Sequence, residues 1–162
     1  MRDFTKIDGH RVAKIIYGTI MVLVVILAME EHPPSAAGSL ALILMTGLGV
    51  ALAESYSDYI GISIKEKRSL SLGGQRQIVH NVSGVLIGAL LPAPFFILAW
   101  VGIMELEAAF RWARWALLGV LLFYGYVAAR LSGRSHAFSI FFAVVASSIG
   151  VIVVLFKDTF GH

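Results

Sequence analysis

A chain of 162 residues that is 58% hydrophobic and only 14% charged, with a mean hydropathy of +0.83, departs from a soluble domain, which is nearer half apolar and a quarter charged. Its formal net charge of +3 would fit nucleic acid on a soluble chain, but on so apolar a background the basic residues fit anionic lipid and the setting of membrane orientation. Composition therefore excludes a soluble enzyme, a disordered tail and a nucleic-acid module, and the lack of cysteine excludes disulfides, thiolate metal sites and cysteine nucleophiles.

A bilayer crossing takes about 20 mostly apolar residues, and five such stretches follow one another. The start, MRDFTKIDGHRVAK, is polar and mixed in charge, and the run after it has no small-residue cleavage site. It reads as a retained first span over residues 15–29, extended back to 12 where Lys14 snorkels. EEHPPS ends it, with Pro33 and Pro34 in a tight turn. The second span, 36–64, is too long for a straight crossing and must tilt or protrude. A polar connector, 65–80, separates it from the third span, 81–104. The fourth and fifth cover 112–131 and 137–156. The expected architecture is an all-α, polytopic protein: a cytoplasmic segment 1–11, one five-helix transmembrane domain 12–157 and a tail 158–162.

Basic residues choose the direction. Arg2, Lys6, Arg11, Lys14, Lys65, Lys67, Arg68, Arg76, Arg130 and Arg134 would fall on one side, and only Arg111, Arg114 and Lys157 on the other. The N-terminus is expected in the cytoplasm and the C-terminus outside. Phe110, Trp112 and Trp115 fit an aromatic belt at the outer boundary. A bacterial inner membrane is the expected host.

Ionisable groups inside a span cost about 2.5–3.5 kcal/mol each at the helix centre and call for a partner or a role. Glu54 and Asp58 stand four residues apart on one helix face, about 6 Å along the axis, with the Tyr59 hydroxyl nearby. For a span starting near residue 37 they lie about 25 and 31 Å along it, toward the inner side. Such a pair can bind a hard cation or relay protons, or it can be neutralised by Lys14 at similar depth. Pro92 and Pro94 break the third span as a packed kink or as backbone lining a cavity. Gly47, Ala51 and Ser55, and the Gly84/Gly88 pair, let helices approach closely within the monomer. The five histidines form no paired motif and fit interfacial or solvated roles.

In their order along the chain, IIYG, GVALAESYSDYIGISIKEK, GALLPAPFF and LLFYGYVAARLSG resemble the vacuolar iron transporter family. The resemblance covers about residues 11–156 and matches a small member without the cytoplasmic metal-binding domain that joins helices two and three in iron-transporting relatives. It implies a homodimer that exchanges a divalent cation for protons along a path near the subunit interface. Carried over position by position, it implies a metal site of Glu54, at a methionine position of the family, and Asp58, within Ser57-Asp58-Tyr59 where the family has Gly-Glu-Tyr. Met21 stands at an aspartate position and adds a soft lining, while Lys14 stands at an acidic one.

Two functions follow. In the first, the protein moves a divalent cation, with or without proton coupling, through Glu54, Asp58 and Met21. In the second it is a non-transporting scaffold or accessory subunit in which Lys14 is tied to Glu54 and Asp58 as a structural network. No nucleophile, paired histidines or cofactor motif points to an enzyme, and no cofactor beyond a transported divalent ion is implied. The face that Glu54 and Asp58 turn to, wet cavity or Lys14, separates the two.

Overall fold

The computed structural model describes residues 9–66, 72–145 and 148, and all regular structure among them is helical. Five helices run in order, α1 Gly9–Met29, α2 Ala36–Glu66, α3 Leu72–Leu90, α4 Ala93–Trp100 and α5 Leu106–Leu131. A shorter apolar helix, α6 His136–Val145, follows. At 1.5 Å per residue, α1, α2 and α5 are roughly 31, 46 and 39 Å long, enough to cross a hydrocarbon core of about 30 Å. These three are long and apolar enough to span alone, and α3 with α4, bent by 45° at their junction, makes a fourth if the pair counts as one span. The chain is thus an all-helical, multi-pass membrane protein. The fifth expected span, 137–156, begins in α6 and continues outside the described residues.

Local chemistry sets the helix ends. A turn over residues 30–32 closes α1, and Ser35, directly after Pro34, caps α2 by accepting the Gly38 amide through its hydroxyl at 3.1 Å. α5 carries Glu107 in its first turn and Arg130 in its last, each complementing the helix dipole. Gly102 and Gly133 adopt φ of +79° and +72° just beyond α4 and α5, a left-handed reversal that glycine makes without steric cost.

Two expected boundaries shift. The connector placed over 65–80 is mostly helix, since α2 runs to Glu66 and α3 starts at Leu72. The first turns of α3 carry Gln75, Arg76 and Gln77, polar residues that an apolar window leaves out although they continue the same helix. For the same reason α5 starts at Leu106, ahead of the expected 112. The Pro92–Pro94 break is a packed kink: Pro92 is fully buried, it precedes α4, and its carbonyl accepts the Phe95 amide at 3.1 Å. Pro94 occupies the first turn of α4, where a missing N–H costs nothing.

The core lies between α1, the α3–α4 unit and α5, where Val22, Leu23, Ile26, Phe96, Phe110, Leu117 and Leu121 are buried with Ile43 of α2. Phe96 and Phe110 meet edge to face at 4.9 Å. The closest crossing joins α1 to α3. A Cβ built on Gly18 would overlap the Val85 carbonyl, and one on Gly88 would overlap the Ile15 carbonyl and stand 2.8 Å from the Thr19 amide. The two backbones are in direct contact, as the small-residue pattern of α3 leads one to expect.

Candidate functional site

This crossing fixes the polar site. Next to Ile15 and one turn before Gly18, α1 presents Lys14. One to two turns before Gly88, α3 presents Gly84 and Asn81. A Cβ on Gly84 would stand 3.2 Å from the Lys14 Cβ, so the glycine leaves room for the lysine stem along α3. α2 lies against α3 through Gly47, where a Cβ would stand 3.1 Å from Leu90 Cδ2. That contact carries the later turns of α2 toward Lys14.

Four side chains from three helices meet there. Lys14 Nζ is ion-paired with Glu54 Oε1 and lies 3.8 Å from Asp58 Oδ1. Asn81 Nδ2 donates to Asp58 Oδ2 at 2.7 Å. The lysine, glutamate and aspartate side chains are 16%, 13% and 19% exposed, and Asn81 is buried. One ammonium and two carboxylates leave the cluster a net charge of −1 when all three are ionised. The ammonium stands where a cation bound by both carboxylates would stand, and the amide fixes the second oxygen of Asp58. The arrangement can lock three helices together, or it can accept a cation or proton once the ammonium moves.

The sequence-derived residues divide accordingly. Glu54, Asp58 and Lys14 come together. Met21 does not join them: it lies 37% exposed on the same α1 stripe as Tyr17 and Val24, and Tyr59 is 49% exposed. Pro92 and Pro94 belong to the kink. Among the described residues no group of three or more His, Asp or Glu side chains is placed to hold a metal ion. His136 instead bonds to the Tyr126 hydroxyl at 2.9 Å.

Two participants escape the sequence reading. Asn81 was only the start of an apolar stretch, although a carboxamide facing an intramembrane acid is a natural partner for it. Arg114 was assigned to the outer boundary, yet its Nη1 donates to both oxygens of Glu30, at 3.0 and 3.3 Å. An arginine at the start of a span needs a carboxylate, and Glu30, at the end of α1, was within reach of that argument. The pair ties α1 to α5 beside a cavity of about 360 Å³ that Arg111 and Glu107 also line.

Removing the amide tests how far Asn81 supports the site. Asn81→Leu leaves Asp58 Oδ2 without its donor, and unfolding stability in detergent is expected to fall by about 1–3 kcal/mol. Unchanged stability would show that water replaces the amide at no cost.

No family model, curated protein or solved structure matches this chain.

Proposed function

We propose that the protein is a five-span membrane protein, N-terminus in the cytoplasm of a bacterial-type inner membrane, whose Lys14–Glu54–Asp58–Asn81 cluster is a structural lock. On this reading it is a non-enzymatic scaffold or accessory subunit and not a carrier of divalent metal. One observation carries the reading: the Lys14 ammonium lies against both acids that would otherwise ligate the ion. A divalent ion about 4 Å from that ammonium would meet repulsion of about 8 kcal/mol at an effective dielectric near 20. Motif order supports a vacuolar-iron-transporter-like scaffold, while the altered positions 14, 21 and 54 separate its site from that family's chemistry.

A second reading, proton-coupled cation transport by a homodimer, draws on the extra carboxylate. With two acids against one base and side chains 13–19% exposed, the cluster retains one negative charge for an incoming cation. Purified protein in proteoliposomes, assayed for iron(II), manganese(II), zinc and proton flux, decides between them. No flux above protein-free vesicles is expected. Flux that disappears in Glu54→Gln, with the fold intact, overturns the structural-lock reading and establishes the transporter.

A further inference from the structure

The turn between α5 and α6 opens on a second cavity, of about 250 Å³, lined by Ala128, Ala129, Ser132, Arg134, Phe138 and Phe142. Its walls are apolar and its mouth is basic. Phe138 and Phe142, one turn apart on α6, stack at 6.4 Å between ring centroids and remain 40% and 43% exposed. The Arg134 guanidinium carbon lies 5.0 Å from the centroid of the Phe138 ring, which holds the charge over the aromatic strip. Arg130 donates from Nη1 to the Arg134 carbonyl at 2.9 Å, bringing a second guanidinium to the same turn. Ser132 is already committed, donating to the Ala128 carbonyl at 3.0 Å.

The half-buried Lys14 and Arg114 each have a carboxylate partner, whereas Arg130 and Arg134 are both exposed and neither has one among the described residues. Their position follows from connectivity. The Glu30–Arg114 pair sets the end of α1 beside the start of α5, so the end of α5 lies at the pole of the bundle that carries Arg11 and Lys14. This is where a membrane helix emerges among headgroups, and a basic pocket between helices at that level selects anionic lipid.

We propose that the α5–α6 cleft binds one anionic phospholipid, its phosphate against Arg134 and Arg130 and an acyl chain along Ala128, Ala129, Phe138 and Phe142. Charge complementarity selects the ligand. A phosphatidylglycerol headgroup brings an unopposed negative charge, whereas the trimethylammonium of phosphatidylcholine is repelled by the two guanidinium groups. The site is separate from the Lys14 cluster, so it stands whether or not the protein transports a cation.

The test uses the full-length protein in detergent, with phosphatidylglycerol or phosphatidylcholine added. Bound lipid is counted by native mass spectrometry, and thermal stability is followed in parallel. Wild type should retain phosphatidylglycerol in preference to phosphatidylcholine and be stabilised by it. Arg134→Gln should reduce that preference about fivefold, and Arg134→Lys should restore most of it. Ala128→Phe fills the cleft without changing charge and should also release the lipid, which keeps the test decisive if Arg134→Gln does not fold. Inorganic phosphate should give no stabilisation. Equal retention of the two lipids by wild type overturns the proposal, as does undiminished preference in either Arg134→Gln or Ala128→Phe. Stabilisation by phosphate alone assigns the arginines to a free anion and overturns it as well.

Discussion

Lys14→Met is expected to destabilise the bundle by about 3–5 kcal/mol, and adding Glu54→Gln should recover most of that loss. The asymmetry follows from the cluster's charges. In the wild type each acid faces the ammonium. Without it, two carboxylates one turn apart on α2 share a poorly hydrated site, in which the Asn81 amide donates to Asp58. Like charges so close repel each other in a site with little water, and opening of the α1–α2 contact must follow. Neutralising Glu54 as well removes the repulsion while Asp58 keeps its amide. Equilibrium unfolding of the two single variants and the double gives the coupling energy directly, and additive effects would sink the pairing. Flux through the same Lys14→Met variant gives a separate readout. If the acids are a cation site blocked by lysine, freeing them creates metal-dependent stabilisation or flux that wild type lacks.

Hydrophobic runs alone lead to α1, α2 and α5, the three helices long and apolar enough to span alone, because the requirement for about 20 apolar residues per helix is coarse and strong. The 36–64 stretch coincides almost fully with α2. Helix ends were less accessible, since a helix continues through polar residues once its backbone hydrogen bonds are running. Gln75 and Arg76 in α3 and Glu107 in α5 show this. The Lys14–Glu54–Asp58 association could be read from depth, which counts residues along each helix and needs no knowledge of packing. Asn81 could not be read that way. Its place depends on which face α3 turns inward, and that is fixed by contacts between helices distant in sequence. Met21 is the converse case. A position taken from a family motif places it with the acids, while in the single chain it lies on the exposed stripe of α1 with Tyr17 and Val24.

The glycines offer the second large effect and a sharper contrast than the charges. Gly18→Ala and Gly88→Ala should each cost about 3 kcal/mol, because the new methyl would meet main-chain atoms of the facing helix. Neither Val85 nor Ile15 can withdraw its carbonyl without moving a whole helix. Gly49→Ala and Gly61→Ala are the controls, with nothing within 4 Å of the added carbon. There the gain in helix propensity, about 0.8–1 kcal/mol, should leave stability unchanged or raised. Thermal or denaturant unfolding of the four variants in one detergent is sufficient. If Gly88→Ala were harmless, the α1–α3 backbone contact would be wrong, and the argument that it positions Lys14 beside Glu54 and Asn81 would fail with it. The same logic links the two experiments. Forcing α1 and α3 apart by one methyl should lower the Lys14–Glu54 coupling energy measured in the Gly88→Ala background, although residue 88 touches neither charge.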